Sequence, residues 1–264
     1  MAESIQAAPP SHPRQVGNTT AMAEVVRGIR VDRRFYMAMA ICAIVIAALG
    51  FAPSGLDPAA RRGPLTPLVA AHAAMSIAWL ALFFVQTALA ARRQIELHRR
   101  LGTATMLLAP VMIVSGYMVA IAMARRGFDL SGDLGIDADP LLGLINPLGD
   151  LATFGILVAG GYWYRQRRDV HKRLMLLATV GGLMLAPLAH LIGHSPLPRE
   201  MAPIILIPTA LFLFASAAYD RVSLGRIHPV SLWGATAILI WDLLRNIAIG
   251  PSAAWHQFAQ WLIS

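Results

Sequence analysis

Charge is scarce in this chain. Only 14% of its 264 residues are Asp, Glu, Lys or Arg, against about 25% in a typical soluble domain. Cysteine is scarcer still: Cys42 stands alone inside an apolar run, which excludes an intrachain disulfide and a cysteine-rich metal centre. No phosphate-cradling glycine loop, nucleophile elbow or zinc-protease helix occurs. The acidic stretch with Asp129, Asp133, Asp137 and Asp139 lacks the Asp, Asn and Gly spacing of a calcium hand. What is abundant is apolar: 57% of residues are hydrophobic and the mean hydropathy is +0.59. Several runs approach the ~20 residues that a membrane helix needs. The chain is therefore an all-α, polytopic integral membrane bundle.

The net charge of +8 does not point to nucleic acid, because the cations sit beside apolar runs on alternate turns. Residues 1–34 are polar, with Pro9, Pro10 and Pro13, which predicts a mostly disordered cytoplasmic tail. The first apolar run begins too late for a secretory signal of usual form. Seven spans are predicted, at about 35–51, 68–90, 101–123, 147–164, 174–193, 201–219 and 229–249, so that 35–249 form the bundle. In 250–264, Trp255, Phe258, Ala259 and Leu262 recur at helical spacing, which predicts a short interfacial helix. Inner segments would hold 16 cations and outer ones five. Cation bias sets orientation, so the N-terminus is expected in the cytoplasm and the C-terminus in the periplasm of a bacterial inner membrane.

One stretch occurs twice. Residues 91–102 read ARRQIELHRRLG and residues 164–175 read YRQRRDVHKRLM. His98 aligns with His171, Arg99 with Lys172, Arg100 with Arg173 and Leu101 with Leu174. Apolar runs flank both copies, which predicts a tandem duplicated hairpin over about 68–123 and 147–193. The cations Arg92, Arg93, Arg99, Arg100, Arg168, Lys172 and Arg173 could cradle anionic lipid headgroups at the cytoplasmic face, or they could only set topology.

Polar residues inside the spans mark candidate sites. His72, Trp79, Gln86 and Arg93 recur every seven residues, so they share nearly one helix face. That face should avoid lipid and line either a cofactor or proton site or a hydrogen-bonded helix contact. His190 and His194 lie four apart at the level of His72. Asp242 and Arg245, three apart, can form an ion pair that is either structural or a proton gate. Gly102, Thr105, Ala109, Met112 and Gly116, with Gly181, Gly182, Ala186 and Ala189, leave room for a flat macrocycle or for close helix packing.

The four spans with histidines at two levels resemble the cytochrome b561-type electron carriers, over about Leu68 to Gly193. That resemblance implies a b-type haem near each surface. Carried over by position, His72 with His190 would hold the outer haem and His98 with His171 the inner one, with a redox partner at the membrane. The turn LHRRLG after a span with Trp79 and Gln86 is also similar to an uncharacterised family of bacterial multi-span membrane proteins related to that fold. Three function classes stay open at this point. They are a haem-binding electron carrier, a small-molecule or ion permease, and a scaffold that binds lipid or a partner.

Overall fold

The computed structural model describes residues 14–58, 64–127, 139–193 and 206–264. Among these residues all regular structure is helical. The first helix, α1, runs over Arg14–Leu56, and its part from Asp32 to Pro53 is apolar enough to cross a membrane. The sequence predicts a disordered tail up to residue 34, yet the helix starts at Arg14. No proline lies between Pro13 and Pro53, and adding turns to an existing helix costs far less than nucleating one.

The helices α2 (Pro67–Ala91) and α3 (Ile95–Arg125) form the first hairpin. A short turn, α4 (Pro140–Gly143), leads into α5 (Ile145–Trp163). The predicted fifth span is two helices, α6 (Arg168–Leu183) and α7 (Leu185–Gly193), bent by 40° at their junction. Pro187 lies just past the bend, and it has no N–H to donate to the carbonyl of Leu183. Helix α8 (Leu206–Leu224) ends in a charged stretch with Asp220 and Arg221, and residues 201–205 of the predicted sixth span lie outside the described residues. Helix α9 (Pro229–Leu244) continues into a π-helical turn over Arg245–Ile249, and α10 (Ala253–Ile263) follows.

Among the described residues, five helices are long and apolar enough to cross a membrane, or six when the bent pair counts as one span. The outside of the molecule is apolar: Leu107, Ile156, Trp233 and Ile247 are each 68–72% exposed. Its inside holds charged side chains, including Arg173, Asp220 and Arg245 at 0–1% exposure. That inversion of the soluble pattern fits a bundle solvated by lipid.

The pairs α2 with α3 and α5 with α6 are the most closely packed, and α3 lies against α5. This four-helix centre buries Trp79, Met112, Phe154 and Ala178. On one side α1 packs on α2 and α7; on the other, α9 packs on α6 and α8. The small residues of α6 are used for contact. A Cβ on Gly182 would lie 2.8 Å from the Cα of Phe154, and one on Gly181 would lie 2.7 Å from Ile238. Likewise, a Cβ on Gly50 would fall 2.2 Å from the carbonyl oxygen of Pro187, so α1 meets α7 backbone to backbone.

Candidate functional site

Both basic turns deliver a histidine to the fourth position of the following helix, His98 in α3 and His171 in α6. The turns differ in detail. The first places Arg93 at φ 62°, a left-handed conformation normally left to glycine; the second closes through Arg167 N–H donating to Tyr164 O at 2.8 Å. Each histidine then reaches back to the preceding helix. The Nδ1 of His98 lies 3.3 Å from the carbonyl oxygen of Gln86, and that of His171 lies 2.7 Å from the carbonyl oxygen of Gly161. A carbonyl only accepts, so both rings carry a proton on Nδ1, and in the neutral ring Nε2 is then the nitrogen with the lone pair. The two rings are 6.3 Å apart between centroids and nearly perpendicular. Beside them, both polar side-chain atoms of Gln86 are buried without a hydrogen-bond partner. The Cα of Gly102 faces that amide, with a built Cβ 3.4 Å from its nitrogen.

The rest of the heptad stripe does other things. Trp79 is 1% exposed; its indole N–H donates to Thr179 Oγ1 at 3.2 Å and its ring meets Phe154 edge-on at 4.7 Å. Arg93 lies beyond the end of α2 at Ala91, exposed, so it does not continue the stripe. His72 pairs through Nδ1 with Ser115 Oγ at 2.9 Å, and the backbone of α3 closes on its ring at Gly116. His190 packs its ring on Phe51 of α1, 4.6 Å between centroids. The two residues expected to form an outer pair are thus engaged by different helices. His194 and the acidic residues Asp129, Asp133 and Asp137 lie outside the described residues. Among the described residues, no three His, Cys, Asp or Glu side chains converge as a metal site.

The cations of the basic turns divide into two groups. Arg92, Arg93, Arg99, Arg100 and Arg168 are exposed, and Arg100 reaches only Glu96 one turn back at 2.9 Å. Lys172 and Arg173 are turned inward instead. Lys172 pairs with Asp32 of α1 and sits over the Tyr36 ring at 5.1 Å. Arg173, expected at the lipid surface, is 1% exposed and grips Asp220 with two nitrogens. Asp220 also accepts from Ser231 Oγ at 2.5 Å, and Arg173 Nη1 donates to Asp169 O at 2.7 Å. A guanidinium matched by a carboxylate in this way is shut off from headgroups.

At the opposite end of the bundle, Arg245 is fully buried between two carboxylates. Its Nη2 lies 2.5 Å from Asp150 Oδ1 and 3.0 Å from Asp242 Oδ1. Its Nη1 donates to Asn146 O at 3.3 Å. Gly149 makes room: a Cβ there would lie 2.3 Å from Nη1. The side chains of Asn146 and Asn246 bond to each other at 3.0 Å beside it. The expected Asp242–Arg245 pair is present, but the shorter contact is to Asp150 on α5. Sequence reasoning passed over Asp150, Asp220 and Ser231. The available signal was that each of these carboxylates stands in or at the end of an apolar run, where an ionisable group needs a partner.

No family model, curated protein or solved structure matches this chain.

Proposed function

We propose that this chain is a multi-pass membrane redox protein of about seven spans, in which His98 and His171 would hold a b-type haem. The observation that carries the reading is the adjacency of the two rings, each fixed by an Nδ1–H bond to a backbone carbonyl. That bond selects the tautomer and orientation in which Nε2 is offered to a metal. The orphaned Gln86 amide beside the pair is a further polar group in want of a partner. Exposed Arg92, Arg99, Arg100 and Arg168 at the same end suit anionic propionates. One-electron transfer is the chemistry that such a group supplies. The protein's part is to hold the two half-buried imidazoles near the starts of α3 and α6. The outer pair, His72 and His190, has no comparable support, because Ser115 and Phe51 engage those rings separately.

The test is an oxidised and a dithionite-reduced visible spectrum of the detergent-purified protein, expressed with ample haem supply. A Soret band with a sharpened α-band on reduction is expected. It should vanish in His98→Ala and His171→Ala and persist in His72→Ala. A colourless, monodisperse preparation would overturn the reading and leave the permease and the scaffold.

A further inference from the structure

The cluster around Arg245 has an unbalanced charge count. One guanidinium faces two carboxylates, Asp150 on α5 and Asp242 on α9, and all three side chains are at most 11% exposed. Among the described residues, these three are the charged groups that act on one another here; Asn146 and Asn246 are neutral. With both carboxylates ionised, the bundle would hold a net negative charge in a low-dielectric interior. Such a charge is neutralised rather than left unpaired. The two carboxylates are also held unequally. Asp150 receives a directed hydrogen bond from Arg245 Nη2 at 2.5 Å. Asp242 Oδ1 lies 3.0 Å from the same nitrogen but receives no hydrogen bond, and Arg245 Nε is likewise buried without a partner.

We propose that Asp150, Asp242 and Arg245 form a proton-binding site within the bundle, in which Asp242 carries one exchangeable proton. Release converts the Asp242 carboxylic acid to a carboxylate, and the proton passes to water at the end of α5 and α9, where the exposed Asn146–Asn246 amide pair lies. The π-helical turn that starts at Arg245, closed by Gly250 N–H donating to Arg245 O at 2.8 Å, gives the guanidinium a local backbone that can readjust when the charge changes. The site stands apart from His98 and His171 and does not rest on haem binding.

Infrared spectroscopy of the full-length protein across pH, in H2O and D2O, tests the site. At neutral pH the wild type should show the carbonyl stretch of one buried protonated carboxyl, shifted in D2O, and Asp242→Asn should lose it. Asp150→Asn is the sharper variant. It leaves one carboxylate for one guanidinium, so Asp242 should ionise and the band should vanish at neutral pH. If burial alone kept Asp242 protonated, the band would survive in Asp150→Asn, and the charge-balance proposal would be overturned. Absence of the band in the wild type at neutral pH, which needs no variant to fold, would overturn it as well.

Discussion

Two buried arginines decide which single substitutions matter. Arg173 is matched by Asp220 and Ser231, so removing the carboxylate strands a guanidinium at 1% exposure. Breaking a buried ion pair from one side costs on the order of 3–5 kcal/mol. Asp220→Ala should therefore lower the thermal midpoint in detergent strongly, whereas Glu96→Ala, at the exposed Arg100 pair, should change it little. Equal midpoints for the two variants would refute this ranking. Gly149 is a second sensitive position. A methyl group there would overlap Arg245 Nη1, and overpacking of this kind costs about 1–3 kcal/mol. Gly149→Ala should be less stable than Gly55→Ala, where a Cβ meets nothing within 4 Å.

Helix α10 is held to the bundle by polar contacts at both ends. Trp255 Nε1 donates to Leu141 O at 2.7 Å, and Arg125 Nε donates to Ile263 O at 2.8 Å. Between them His256 meets Asp139 at 2.7 Å. The Ser252 carbonyl and then Asp139 raise the proton affinity of His256 above its ordinary 6.5. Raised affinity in the docked state means that the contact stabilises docking fully below that ordinary value. The contribution is lost as pH rises through the raised one. Hydrogen exchange over 253–263 should therefore be slower at pH 6 than at pH 9 after correction for the intrinsic rate, and His256→Gln should remove the difference. An unchanged pH profile in that variant would show that the contact does not hold the helix. Trp261, 68% exposed beside Phe258, leaves an aromatic edge of α10 for the interface.

At the scale of the molecule, the cation distribution places both basic turns on one side. With seven spans, cysteines introduced at residue 94 and at Ser264 in a Cys42→Ser background should label from opposite faces of right-side-out vesicles. Labelling from one face would mean an even number of crossings between them in place of the odd number that seven spans require. The exposed cations Arg92, Arg93, Arg99, Arg100 and Arg168 share the end of the bundle where His98 and His171 lie. Each such cation near an anionic surface contributes about 1 kcal/mol at moderate salt. Anionic phospholipid should stabilise the solubilised protein more than a zwitterionic one, and a variant with these five changed to Gln should lose the preference. Lys172→Gln should not, since Lys172 is already paired with Asp32.

Hydropathy alone determined that the chain is an all-helical membrane bundle. It placed most of the apolar helices within a few residues, because an apolar run of about 20 residues in lipid can satisfy its own backbone hydrogen bonds within the segment only as a helix. The i,i+3 rule found Asp242–Arg245, and the repeated turn found His98 and His171, since both signals are local. Arg173 was misplaced at the lipid surface because its partner lies 47 residues away on α8. Asp150 escaped for the same reason, 95 residues from Arg245. The helix bend between α6 and α7 sits next to Pro187, yet only packing against Gly50 of α1 settles where α7 goes. Which charges face lipid and which face each other is a property of helix packing, and tertiary structure alone decided it.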